Sequence, residues 1–255
     1  MVITDTHTHL YSEAFDGDRV EVMKRAMAKG VVRFFIPAID STYTDRMLQL
    51  RHSYPDNVFL MTGLHPTHVK ENYKEELRHV SEQLEKDTFC AVGEIGIDIY
   101  WDASFLKEQQ EAFRQQIILA KKHKLPIVIH CRDAFDEIFE VLEKEKGEHL
   151  YGIFHCFTGT LEQAKRAISF NMALGIGGVV TFKNGKIDTF LSEIDLKHIV
   201  LETDAPYLAP VPFRGKRNEA AYILNVLEKV ASIYNKTVQE VAAITTENSI
   251  RVFGV

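Results

Sequence analysis

Near the start of the chain, His7-Thr8-His9 places two imidazoles one residue apart. In an extended strand such residues face the same side, so His7 and His9 can grip one cation while Thr8 points away. Alone, a His-x-His pair is a weak signal. Further ligand-type residues end other short apolar runs: Glu94 ends 88–94, His130 ends 126–130, His155 ends 150–155 and Asp204 ends 198–204. Four imidazoles and two carboxylates without sulfur suit borderline or hard divalent ions, Zn²⁺, Mn²⁺ or Mg²⁺, and exceed the needs of one tetrahedral catalytic site. Two divalent metal ions, about 3.5–4 Å apart, are therefore expected. Glu94 is the natural bridge, because a carboxylate has two oxygens and its charge offsets cation repulsion. The expected split is His7, His9, Glu94 and Asp204 around one ion, with Glu94, His130 and His155 around the other. Such a pair makes water a nucleophile near neutral pH, and Asp204 is the expected proton acceptor.

The elements that must position these groups are legible too. Further strand-like runs at 31–37, 58–63 and 171–177 bring the total to eight. Helix-period apolar spacing with charged outer faces marks 105–124, 134–146 and 219–233, and helical segments are expected between the strands. Alternating strand and helix implies a parallel sheet. Ligands drawn from the first, fourth, fifth, sixth and eighth strands favour a closed α/β barrel, the (β/α)₈ TIM barrel, with the metal site at the C-terminal face of the strands. A chain of 255 residues is close to typical for one such barrel, so a single domain over 1–255 is expected.

The start lacks a basic leader, and no run approaches the roughly 20 apolar residues of a spanning helix. A soluble, cytoplasmic protein without a membrane partner is expected. Three cysteines without Cys-x-x-Cys spacing argue against a disulfide framework or thiolate zinc site. Strand alternation predicts that Cys131 and Cys156 face away from the ligand histidines beside them. Cys90 is expected one layer deeper in the barrel, and none of the three suits a nucleophile.

Several longer motifs run through the chain: Asp5-Thr6-His7-Thr8-His9, Gly63-Leu64-His65-Pro66, Val92-Gly93-Glu94-Ile95-Gly96-Ile97-Asp98, His130-Cys131-Arg132-Asp133-Ala134, His155-Cys156-Phe157-Thr158-Gly159, Leu201-Glu202-Thr203-Asp204-Ala205-Pro206-Tyr207-Leu208 and Arg214-Gly215-Lys216-Arg217-Asn218-Glu219. In this order and strand placement they resemble, from end to end, the TatD family of metal-dependent deoxyribonucleases among the amidohydrolase-like barrels. The resemblance implies a binuclear metal hydrolase cutting phosphodiester bonds in DNA, with the ligands on the six residues above. It also implies that His65 contacts the scissile phosphate; the plainer reading is a strand-ending turn with an exposed imidazole. The chain departs from the pattern at Thr67, where many members carry a second histidine, and at Ala220, where proline is frequent.

Glu202 shares strand parity with Asp204 and is either a partner orienting a ligand histidine or a buried carboxylate paired with an Arg or Lys. Asp5, one step below His7, is the other candidate for orienting a ligand. A net charge of −6 repels a polyanion at long range. Local cations oppose it: Arg132 follows a ligand histidine, and Arg214, Lys216 and Arg217 form a basic loop after the last strand. A small footprint follows, with exonucleolytic action on single-stranded DNA ends rather than tight duplex binding. No obligate protein partner is implied. The same ions and fold also serve a carbonyl-centred hydrolase, such as a D-aminoacyl-tRNA deacylase, amidase or lactonase. A non-catalytic metal-dependent binding protein is the remaining alternative.

Overall fold

The computed structural model describes residues 1–86, 88–100 and 102–255. Its strands are β1 (Ile3–Asp5), β2 (Val31–Ile36), β3 (Val58–Thr62), β4 (Ala91–Asp98), β5 (Ile127–Arg132), β6 (Gly152–Phe154), β7 (Met172–Ile176) and β8 (Ile199–Leu201). All seven neighbouring pairs are parallel and follow sequence order. The ends meet where the Thr6 N–H donates to the Leu201 carbonyl at 3.0 Å. Eight strands of this kind form the expected (β/α)₈ barrel.

Period-two alternation sorts the strand residues. Phe35, Met61, Ala91, Val128, Ile153, Ala173 and Val200, one from each of β2 to β8, fill the lumen. Phe253 stacks on Phe35 at 4.0 Å and closes the floor. Their neighbours, among them Phe34, Ile36, Val92, Ile127, Ile129, Phe154 and Leu174, pack outward under the helices.

The helices are α1 (Arg19–Ala28), α2 (Thr44–Ser53), α3 (Tyr73–Lys86), α4 (Leu106–His123), α5 (Phe135–Lys144), α6 (Leu161–Ser169), α7 (Ile223–Tyr234) and α8 (Val238–Phe253). Capping boxes start two of them: Thr160 with Gln163 before α6, and Thr237 with Glu240 before α8. Each satisfies two otherwise orphaned backbone donors.

Two expectations need correction. The fourth strand does not stop at Glu94 but runs to Asp98. Its register against β5 slips between Gly93 and Ile95. Gly93 abuts Met61 and Val128 in the lumen, Glu94 points into the site, and Ile95 and Ile97 still pack outward. The helix expected between the last two strands is also absent. The described residues there form only short 3₁₀ turns: Gly178–Thr181, Ile187–Thr189, Leu191–Glu193 and Leu196–His198.

Candidate metal centre

The barrel delivers the expected ligand residues to one place, around Glu94. On one side of that carboxylate, Oε2 lies 3.1 Å from His7 Nε2 and 3.7 Å from His9 Nε2. On the other, Oε1 lies 2.8 Å from His130 Nδ1 and 3.4 Å from both His155 Nε2 and His65 Nε2. Asp204 Oδ1 sits 3.4 Å from His9 Nε2 and 3.9 Å from His7 Nε2. The His7 and His155 rings stack at 3.5 Å, which joins the two sides. Asp204 adopts a positive φ of 57°, with its N–H donating to the His7 carbonyl at 2.9 Å. That is a strained backbone for a residue with a Cβ, maintained by its surroundings.

Several of these histidines have a partner on the side away from Glu94. His130 Nε2 is 2.8 Å from Asp98 Oδ2, His9 Nδ1 is 2.9 Å from the Tyr11 hydroxyl, and His155 Nδ1 makes a 3.0 Å ion-pair contact with Glu202 Oε1 that is not aligned as a hydrogen bond. A carboxylate behind an imidazole fixes its tautomer and turns the other nitrogen's lone pair toward a cation. Glu202 is fully buried and its Oε1 also accepts the Cys156 N–H at 2.6 Å. Gly175 makes room for it, because a Cβ there would lie 2.3 Å from Glu202 Oε2. Of the two readings of Glu202, the geometry matches the histidine partner.

Among the described residues, the hydrogen bonds of Asp5 go to Thr203 and to the His7 backbone. It accepts the Thr203 N–H at 2.9 Å, the Thr203 hydroxyl at 2.6 Å and the His7 N–H at 3.4 Å, tying β1 to the segment after β8. Burial pushes its carboxyl up to about 8 against the pull of Thr203.

His65 stands within the cluster rather than at its edge. The Thr67 N–H donates to His65 Nδ1 at 3.2 Å, so the neutral ring carries its proton on Nε2. That nitrogen faces the cavity as a donor.

The charge state of the cluster is set by competing effects. Burial alone would raise Glu94 and Asp204, but the imidazoles around them reverse this and hold both carboxyls below their usual range. Burial and the facing His155 push His7 down, and burial takes His65 to about 4. Burial also works against protonated His155, yet Glu202 and Glu94 lift it to about 10.

The donor set fits divalent cations. Among the described residues, three groups present ligand atoms within 4.8 Å of one another: His7, His9 and Glu94; His7, His155 and Asp204; and His65, Glu94 and His130. His7 Nδ1 is buried without a partner. Imidazoles crowding one buried carboxylate are costly unless a cation lies among their lone pairs.

A cavity of about 250 Å³ opens over the cluster and includes Arg132, Thr67, His68 and Tyr207 in its walls. The Arg132 guanidinium lies 3.7 Å from the Tyr100 ring centre. The basic loop forms no part of these walls. Arg214 stacks 3.6 Å over Phe182 and Lys216 is exposed. Arg217 makes two 2.7 Å bonds to Asp18 and a third to the Ala14 carbonyl, so its fork is engaged within the protein.

Cys156 departs from the expected alternation. It lies beyond β6 with a φ of 43°, and burial together with nearby Glu202, Asp204 and Glu94 raises its thiol. Cys131 packs against the outer core as expected. Sequence reasoning missed Asp98 and Tyr11. Parity with His7 and His9 was the signal for Tyr11; for Asp98 it was the end of a longer fourth strand.

A histidine-carboxylate cluster of this kind at the C-terminal mouth of a (β/α)₈ barrel defines a divalent-metal hydrolase. The TatD related DNase family matches residues 4–254, and the chain belongs to that family of metal-dependent hydrolases. It is 40% identical over 253 residues, 99% of each chain, to the uncharacterized metal-dependent hydrolase YabD of Bacillus subtilis. It is 30% identical over 256 residues, 98% of each chain, to the 3′-5′ ssDNA/RNA exonuclease TatD of Pantoea ananatis. The crystal structure of YjjV, a TatD homologue from Escherichia coli, superposes with a TM-score of 0.93 at 28% identity, covering 99% of this chain and 98% of that one.

Proposed function

We propose that the protein hydrolyses phosphodiester bonds at single-stranded nucleic acid ends, DNA first among them, with two divalent ions as cofactors. The observation that carries this reading is the two-sided use of Glu94: His7 and His9 on Oε2, His130 and His155 on Oε1. When bound, Mg²⁺ or Mn²⁺, or Zn²⁺ by the same donors, would supply Lewis-acid activation of water and phosphate. Asp204, kept ionised, accepts the proton released by the attacking water. The His65 Nε2–H and the Arg132 guanidinium offer donors to a non-bridging phosphate oxygen. The relative named as a single-stranded DNA and RNA exonuclease supports this substrate class.

No helix among the described residues is long and apolar enough to cross a membrane. The test is turnover of an end-labelled single-stranded oligonucleotide beside small esters and aminoacyl-tRNA, with chelator and with restored metal. Progressive shortening that chelation abolishes and Mg²⁺ or Mn²⁺ restores is expected. Faster metal-dependent turnover of an ester or aminoacyl-tRNA would overturn the phosphodiester reading.

A further inference from the structure

Arg132 lines two cavities. The first is the one over Glu94; the second, of about 520 Å³, lies beside it and is walled by Tyr100, Phe135, Phe190, Thr158, Thr189 and Lys186. We infer that this side cavity binds the base of the nucleotide adjoining the scissile phosphate, making it a subsite for unpaired nucleic acid. The inference rests on the proposed phosphodiester substrate.

Three features carry it. Aromatic rings from separate parts of the chain line the cavity, and an aromatic face is what an unstacked base seeks in the absence of its own neighbours. Threonine hydroxyls stand among them, and a hydroxyl both donates and accepts, so any base edge can be met without sequence preference. The cations are Lys186 and Arg132, and Arg132 also faces the catalytic cavity, where the phosphate attached to that base would lie.

Asp133 adds a discriminating charge. Its exposed carboxylate also borders the side cavity and offsets part of the attraction that Lys186 and Arg132 exert on a phosphate there. A volume of about 520 Å³ falls within the range of small-molecule sites. A paired base could not enter, because its edge and faces are already taken in the duplex. The cavity thus supplies a physical reason for single-strand preference.

The test compares a fluorescein-labelled tetranucleotide with versions carrying one abasic residue at each position in turn. Affinity is measured on chelator-treated protein, and cleavage is measured separately with metal. Wild-type protein should bind the intact strand on the order of tenfold more tightly than one abasic version, the scale of a single base stacked on an aromatic side chain. Tyr100→Leu and Phe190→Leu keep apolar bulk but remove a ring face. Each should weaken binding of the intact strand and reduce its advantage over the abasic one, a change in selectivity that mere destabilisation would not produce. Equal affinity of wild-type protein for intact and every abasic strand would overturn the inference, whatever the variants do. So would an undiminished advantage in both variants. A strand bound with this base dependence yet never cut would uphold the subsite and sink the hydrolytic reading. Cutting with no base dependence would do the reverse.

Discussion

Gly175→Ala probes the support behind the candidate metal centre without replacing any candidate ligand. A Cβ at position 175 would lie 2.3 Å from Glu202 Oε2, 2.9 Å from Glu202 Cδ and 3.2 Å from the His155 Cα. The first contact falls about 1 Å short of ordinary van der Waals separation. Glu202 is fully buried, with Oε1 accepting from Cys156 and facing His155 Nδ1, so its carboxylate cannot move aside and keep both partners. Losing the carboxylate behind a ligand histidine typically costs 10–100-fold in metal affinity. Leaving the buried Cys156 N–H unpaired adds about 1–3 kcal/mol of lost stability. Calorimetric metal titration and urea unfolding should therefore show both losses in Gly175→Ala. In a Glu202→Ala background the clashing oxygens are gone, so Gly175→Ala should cost little more, and the two changes should be strongly non-additive. Metal affinity within twofold of wild type in Gly175→Ala, or a strictly additive cycle, would refute the assignment of Glu202 as the partner that orients His155.

Asp204→Asn keeps an oxygen ligand but loses the proton acceptor, so kcat on an oligonucleotide should fall about 10²–10⁴-fold with the fold intact; near-wild-type kcat would remove Asp204 from proton transfer. Arg214→Ala and Lys216→Ala should each flatten the slope of log affinity against log salt by about 0.7 if they meet phosphates of a single strand. Arg217→Ala should leave that slope unchanged and instead lower stability slightly, as for any exposed ion pair; denaturation and binding titrations on the three variants separate these outcomes. The Asp5 carboxyl, pushed up to about 8 by burial, holds a proton in the native state that the unfolded chain releases from about pH 4 upward. Its contribution to stability is thus full below pH 4 and lost as pH rises toward 8. Asp5→Asn should flatten that part of the unfolding curve, and an identical pH dependence in the variant would show that Asp5 does not titrate there.

Much of the centre was legible because the candidate ligands lie within or just beyond strands of a parallel barrel, and all such strands point their C-terminal ends to one face. His7, Glu94, His130, His155 and Asp204 needed only that rule. Pairings between residues distant in the chain were not legible. Arg217 reads as a free cation beside Arg214 and Lys216, and only folding brings Asp18 against it. Asp98 was hidden by the register slip at Gly93, since a regular strand ending at Glu94 leaves no reason to look four residues on. The 3₁₀ path from β7 to β8 lacks the long amphipathic repeat that makes the other crossovers visible.

Phe253 on the barrel floor and the bonds from Thr6 to Leu201 and from Asp5 to Thr203 have a consequence for how the protein is made. Synthesis proceeds from the N-terminus, so β1 waits for residues 6–198 to emerge before its second neighbour, β8, does. Until then the lumen has an open seam and no plug, a state with exposed apolar surface that is slow to resolve and prone to aggregation. Asp204 emerges just after the strand that closes this seam. A chain released early therefore lacks both a sealed barrel and a complete ligand set, and hydrolytic competence arrives together with closure.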